Sequence, residues 1–406
     1  MPNTTPTTTQ LLILGNGFDL RCGLRSTYKD FFRSSILDTI GEPFGLKQLQ
    51  AGVSGFWEAL LLEYYKVNDK DDYNWCDIET IIKDTLLDIY FGKNNPDRSI
   101  NQGIYSKATK YLNKFTVGLG LDKLNPIEKF LFDYCVKFIS LNNNGLTETI
   151  KSLVKHFLQQ LYNLEKRFCK YLKEQIVNPN NKTEMNEEYI IKAVNLLASL
   201  TGFVHYKFNK IDDFITTETK KHLMDVFDNL NDVFIVNFNY TALFDILEVE
   251  SPCFYNNVHG KLCNNACMNG CNKSNIIFGI DDNLIQSQGT SSELRLFSKT
   301  YRKMLSANKY LTVLPPNESN PIAIKFYGHS LSEADYSYFQ SIFDYYDLYE
   351  NSNVSLTFYY SKGFENSDAV YKLISIYGKS LTNQAQGKNL IHKLLLENRL
   401  KIIEIS

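Results

Sequence analysis

The chain lacks a basic excess. Its 43 lysines and arginines are matched by 45 aspartates and glutamates, for a formal net charge of −2. A protein dedicated to nucleic acid carries surplus positive charge to neutralise phosphates, so that class is not expected. No window approaches the roughly 18 consecutive apolar residues that a membrane helix needs. The opening MPNTTPTTTQ has no basic residue, and the LLIL run after it is too short for the hydrophobic region of a signal peptide. Eight cysteines in 406 residues show no disulfide-scaffold spacing over most of the length, which suits a reducing compartment. Internal repeats are missing, and so is low complexity beyond the threonine-rich first ten residues. The expected location is the cytoplasm, with no membrane partner.

What is present is ordinary globular composition, with 44% hydrophobic and 22% charged residues. The length prior gives about two or three domain-sized bodies. Tryptophan occurs only twice, yet 27 phenylalanines and 26 tyrosines bring aromatics to 14%. So many rings imply a thick core or extensive internal interfaces.

Leu11–Leu14 reads as a buried strand with a sharp exit at Gly15. From about Thr27 to Leu230 the spacing is helical, over 56–66, 78–90, 127–138, 147–176 and 186–200. After Asp232, strand-like runs at 233–238, 254–258, 275–280, 322–327, 354–360 and 400–405 alternate with helical patterns at 332–349, 367–377 and 389–398. Strands alternating with helices predict a Rossmann-like, doubly wound, mainly parallel α/β sheet. Residues 1–26 and 231–406 are expected to build it, with 27–230 as a large all-helical insertion.

Four polar loops follow four of these strands. Gly15-Asn16-Gly17 is a tight turn that lets backbone N–H groups approach a phosphate, or else a turn pair with Asp19 capping the next helix. Asn237-Phe238-Asn239-Tyr240-Thr241 sets amides at a strand end, where they position a ribose or a water; helix capping by Asn239 or Thr241 is the plain alternative. His259, in Asn257-Val258-His259-Gly260, is a candidate general base, although a lone histidine is more often structural. Gly328-His329-Ser330 precedes a helix expected to begin near Ser332, with Ser332 and Asp335 resembling a capping box. Gly328 and Ser330 are candidates for a ribose or adenine-side group. Cys253, Cys263, Cys267 and Cys271 hold half the cysteines, and their spacing fits a structural zinc site as well as a loop of reduced thiols.

LILGNGFDLRCGLRSTYKDFF resembles the amino-terminal signature of the AbiH family of phage abortive-infection proteins. NWCDIETIIKD, FNYTALFD, VHGKL, IIFGIDD and FYGHSLSEADYSYF look like its later blocks, in order, so the resemblance spans residues 11–344. Arg25 stands where that family usually has proline. The same blocks are distantly similar to the sirtuin superfamily, although the first loop reads Gly-Asn-Gly-Phe-Asp rather than Gly-Ala-Gly-x-Ser. The resemblance implies a phage-defence effector that hydrolyses NAD, with Asn239, His259 and Asp19 catalytic: Asn239 orienting ribose or water, His259 accepting a proton, and Asp19 binding ribose hydroxyls. It implies nucleotide contacts at Gly15, Asn16, Gly17, Phe18, Gly23, Thr27, Tyr28, Tyr240, Gly328, His329, Ser330 and Asp335. A phage or host protein trigger and homo-oligomers are compatible with it. A non-catalytic nucleotide or ADP-ribose sensor, and a metal-dependent nuclease using Asp19, Asp77, Glu79 and Asp281, are the competing classes.

Overall fold

The computed structural model describes residues 8–37, 55–67, 77–91, 103–114, 118–141, 146–177, 186–202, 233–243, 254–262, 276–281, 294–305, 314–317, 321–332 and 335–405. In chain order the elements are β1 (Thr9–Leu14), α1 (Gly17–Arg21), α2 (Tyr28–Phe32), α3 (Phe56–Val67), α4 (Ile78–Tyr90), α5 (Ile104–Leu112) and α6 (Pro126–Leu141). There follow α7 (Leu146–Ile176), α8 (Glu187–Thr201), β2 (Val233–Asn237), β3 (Phe254–Asn257), α9 (Lys299–Leu305) and β4 (Ile322–Tyr327). The chain ends with α10 (Tyr336–Tyr345), β5 (Val354–Ser361), α11 (Ser367–Ser380), α12 (Gln384–Leu396) and β6 (Leu400–Ile405). No described helix is long and apolar enough to cross a membrane.

The six strands form one sheet in the order β3-β2-β1-β4-β5-β6, and every neighbouring pair is parallel. This is the Rossmann strand order, which reverses direction between β1 and β4. A parallel sheet covered on both faces needs apolar residues facing both ways. β1 meets that need through Leu11, Ile13, Leu12 and Leu14, and β2 is buried at all five positions. β6 is one of the two edge strands, and its residues are half-buried or exposed throughout.

Two compact units divide the chain: Met1–Ser26, Leu172–Asn275 and Asn308–Ser406 in one, Thr27–Tyr171 and Ile276–Ala307 in the other. This division differs from an insertion running from 27 to 230, because α8 groups with the sheet. The reason is a set of polar ties. Gln10 Nε2 donates to the Thr201 carbonyl at 3.1 Å, and the Lys325 ammonium donates to the Leu200 carbonyl at 2.8 Å. A lysine on β4 thus caps the carboxyl end of α8, where helix carbonyls lack partners. The Asn186 side chain accepts the Tyr189 N–H at the other end, and Gly202 closes the helix at φ 89°.

The second unit is helical and rich in rings. Phe56 stacks on Phe157 at 4.2 Å, and the Trp57 indole donates to the Phe157 carbonyl. Residues 275–280 were expected as a strand, yet over the described 276–281 there is only an isolated bridge between Ile280 and Ser298. Side chains take the backbone groups a ladder would have used. Glu165 accepts the Phe278 N–H at 2.7 Å, and Arg302 donates to the Phe278 carbonyl at 2.6 Å. Arg302 also grips both Glu165 oxygens, at 2.7 and 2.9 Å, in a buried two-pronged pair.

Removing one partner of such a pair leaves a buried charge uncompensated, which costs about 3–5 kcal/mol. Arg302→Met is therefore expected to lower stability by that amount in denaturant unfolding. A loss under about 1 kcal/mol would mean that Glu165 is solvated after all.

Candidate functional site

Parallel register sets the strand ends level. Leu14 lies opposite Asn237 and Tyr327, and Asn237 lies opposite Asn257. The four loops that follow therefore stand side by side along the carboxyl edge of the sheet. Their lateral order is the His259 loop, the Asn239 loop, the Gly15 loop and the Gly328 loop. Open α/β sheets hold ligands at this edge, at the point where strand order reverses.

The first loop is closed on its neighbour. The Gly15 N–H donates to the Tyr327 carbonyl, Gly17 N–H to Gly328, and Phe18 N–H to Gly15, all within 2.9 Å. A Cβ on Gly17 would come within 2.6 Å of Gly328 Cα, and one on Gly15 within 2.3 Å of His329 Cα. Glycine is needed here because two backbones touch. In this arrangement those three N–H groups do not serve as phosphate donors. Asn16 is likewise engaged, accepting from the Ser26 hydroxyl at 2.6 Å.

Asp19 sits behind this turn, 1% exposed, and points inward. Its carboxylate accepts the Tyr189 hydroxyl at 3.0 Å and the Thr241 hydroxyl at 2.6 Å. Burial pushes its carboxyl up to about 6, against the opposing pull of those two hydrogen bonds. A small cavity beside it is walled by Leu14, Phe18, Leu197, Ile235 and Leu243 with Tyr189, Asn237, Thr241 and Tyr255.

Three asparagines shape the next loop. The Asn237 side chain donates to the Thr241 carbonyl at 2.8 Å and accepts the Asn239 N–H at 3.1 Å. Asn257 donates to the carbonyls of Asn239 and Thr241, at 2.7 and 2.9 Å. The Tyr255 hydroxyl donates to the Thr241 carbonyl as well. Asn239 is thereby held by its backbone alone. Its side chain is 3% exposed, and neither Oδ1 nor Nδ2 has a hydrogen-bond partner among the described residues. A buried polar group left unmade costs about 1–3 kcal/mol, so such a residue calls for an explanation.

His259, Asp335 and His329 complete the edge, all three buried. His259 Nε2 lies 3.0 Å from Asp335 Oδ1, and His329 Nε2 lies 3.5 Å from Asp335 Oδ2. The first contact is close enough for charge pairing but is not aligned as a formed hydrogen bond. The Leu331 N–H donates to His329 Nδ1 at 2.9 Å, so a neutral His329 carries its proton on Nε2, facing the carboxylate. Leu331 adopts φ 56° to do this, a left-handed conformation that costs a non-glycine residue about 1–2 kcal/mol. Phe238 packs edge-on against both imidazoles, at 5.3 and 4.6 Å.

A family profile described as bacteriophage abortive infection AbiH matches residues 11–360, from β1 into β5 and across all four loops. The chain belongs to that family. Membership assigns it a role in phage abortive infection. Neither the curated proteins nor the solved structures compared with it gave a match.

Within the AbiH span the expected site residues fall into distinct settings. Asn239, His259, His329 and Asp335 gather at the carboxyl edge, with Tyr240 half-buried and 6.4 Å from His259, ring to ring. Ser330 is exposed, and Gly23 bends the chain at φ 95°. Thr27 and Tyr28 belong to the second unit. There Thr27 caps α2 by accepting the Asp30 N–H, and Tyr28 lies between Phe168 and Phe278 at 5.4 Å from each. The expected capping box does not form: the helix begins at Tyr336, and Asp335 makes no side-chain cap bond. Its carboxylate turns to the two histidines instead. Cys253, Cys263, Cys267 and Cys271, the expected zinc ligands, lie outside the described residues. Tyr189 and the holding role of Asn257 were missed. Tyr189 meets Asp19 across 170 residues, and no local pattern announces such a contact.

The Asp19 carboxyl makes stability depend on pH. Its folded value of about 6 exceeds the ordinary 3.8, so the native state binds the extra proton between those limits. That stabilisation is fully present below pH 3.8 and disappears as pH rises through 6. Its size is on the order of 2–3 kcal/mol. Denaturant midpoints of the native protein should therefore fall between pH 4 and 6 relative to Asp19→Asn. Parallel pH profiles for the two proteins would refute the assignment.

Proposed function

We propose that this AbiH protein is an abortive-infection effector that hydrolyses NAD to nicotinamide and ADP-ribose. The observation that carries the reading is the buried His259–Asp335 pairing, 3.0 Å apart, at the carboxyl edge of a sheet with Rossmann strand order. A carboxylate beside an imidazole favours the protonated ring, which is what a general base becomes during reaction. Histidine is also the side chain whose ordinary titration lies closest to neutrality.

In the proposed reaction the bond between nicotinamide and ribose C1 breaks, and nicotinamide leaves with the electron pair. Water forms the new C–O bond at C1, and its proton passes to His259. Asp335 holds the imidazole and offsets the charge it gains, and His329 fixes the other carboxylate oxygen. The aromatic wall of Phe238, Tyr240 and Tyr338 limits water around the reacting centre, with Tyr338 6.0 Å from His259 between ring centres. Asp19 takes a different part from ribose binding: through Thr241 it positions the loop that carries Asn239.

The nuclease reading finds less support. Asp77 caps α4 by accepting the Glu79 and Thr80 N–H groups, and Glu79 pairs with Lys299 at 2.8 Å. Those carboxylates are occupied in building the helical unit.

Nicotinamide release from NAD should fall at least about 10²-fold in His259→Ala and in Asp335→Asn. Cellular NAD should drop during phage infection with the native protein and not with either variant. Unchanged turnover in both variants would remove the catalytic assignment. Nucleotide retained on purification without turnover, in the tube or in infected cells, would favour a sensor instead.

A further inference from the structure

The Asn239 amide carries more information than a role in orienting water or ribose requires. Among the described residues both of its ends lack partners: the acceptor Oδ1 and the donor Nδ2, in a residue that is 3% exposed. A single hydroxyl satisfies one end well and leaves the other short. A group that presents an acceptor and a donor side by side satisfies both, through two parallel N–H···O bonds. The backbone around Asn239 is already committed, its N–H to Asn237 and its carbonyl to Asn257, so the side chain cannot relax toward them without breaking the loop.

We infer that Asn239 is a specificity-determining residue that recognises the carboxamide of nicotinamide, taking its C=O on Nδ2 and its NH₂ on Oδ1. This rests on the NAD reading above and names the feature of the substrate that is read. An adenine edge offers a similar donor–acceptor pair. Location decides between them. Phe238 and Tyr240, the residues on either side of Asn239, place their rings 5.3 and 6.4 Å from the His259 ring, at the end where the glycosidic bond breaks. The group beside that bond is nicotinamide.

Discrimination follows from the chemistry. Replacing the carboxamide with a carboxylate, as in the nicotinic acid analogue of NAD, sets a charged acceptor against Oδ1 and removes the donor. A site with buried polar groups rejects a ligand that leaves them unpaired far more strongly than an apolar pocket rejects a change of size.

Nicotinamide, nicotinic acid and adenosine, each titrated into the full-length protein by ligand-observed NMR, provide the first test. Nicotinamide should bind at least about 10-fold tighter than nicotinic acid, and that preference should vanish in Asn239→Asp and in the near-isosteric Asn239→Leu. Asn239→Leu should have a Tm at or above that of the native protein, because it removes a buried amide with no partner. A lowered Tm with nicotinamide binding intact would identify a structural, water-bridged amide and overturn the inference. Equal binding of nicotinamide and nicotinic acid, or adenosine binding that depends on Asn239 in place of nicotinamide, would also overturn it.

Hydrolysis gives the second test and separates the two readings. Native kcat/KM should favour NAD over its nicotinic acid analogue by at least about 10²-fold. Equal hydrolysis of both would leave the NADase reading standing and defeat this one. Asn239-dependent nicotinamide binding without NAD turnover would support this one and defeat the hydrolase.

Discussion

Asp19 joins three pieces of chain that are far apart in sequence. Its carboxylate accepts one hydroxyl from α8, 170 residues away, and another from the loop after β2, 222 residues away. What stands at the carboxyl edge follows from this junction. Thr241, fixed by its hydroxyl to Asp19, offers its carbonyl to Asn237, Asn257 and Tyr255. Asn257 then takes the carbonyl of Asn239, and Asn237 takes its N–H. A loop so heavily bonded through its backbone can hold a side chain in an unfavourable setting. The buried amide of Asn239, without a hydrogen-bond partner among the described residues, is the result.

Strain and unmet bonds occur along this edge. Asn239 lacks side-chain partners among the described residues, Leu331 sits at positive φ, and Asp335 forgoes capping α10 in order to face two histidines. Each departs from the cheapest local solution, and each persists because surrounding structure over-determines it. The neighbouring turn is the opposite case. Gly15 and Gly17 make their backbone bonds within the protein and pack directly on Gly328. Glycine there serves the joining of β1 to β4, and the buried polar groups of the edge lie to either side of it.

Much of the fold could be read from sequence because its signals are local. Continuous apolar runs marked β1 and β2, a run broken only by Lys325 marked β4, and the three-and-four spacing of Leu153, Phe157, Leu161, Leu164 and Phe168 marked α7. The run at 275–280 misled because apolar content reports burial, and burial does not require a ladder. There Glu165 and Arg302 supply the hydrogen bonds that another strand would have supplied. The capping box at Ser332 and Asp335 misled for a related reason. A capping carboxylate and one that turns to histidines look alike in sequence, and only the His259 and His329 rings, 76 residues or fewer away along the chain, decide between them.

The candidate site was legible as residue types at strand ends, and its wiring was not. His259 and Asn239 stood out because polar residues after buried strands fall at the edge where ligands bind. Their difference in condition did not show. His259 is paired with a carboxylate, whereas Asn239 is buried with its amide unpaired among the described residues. For a base, a partner is an asset, since it steadies the charge gained on protonation. For a recognition residue, a partner in the resting protein would compete with the ligand, and the discrimination would weaken by that competition. The two conditions therefore suit the different tasks proposed for them: proton transfer at His259, and reading of the leaving group at Asn239.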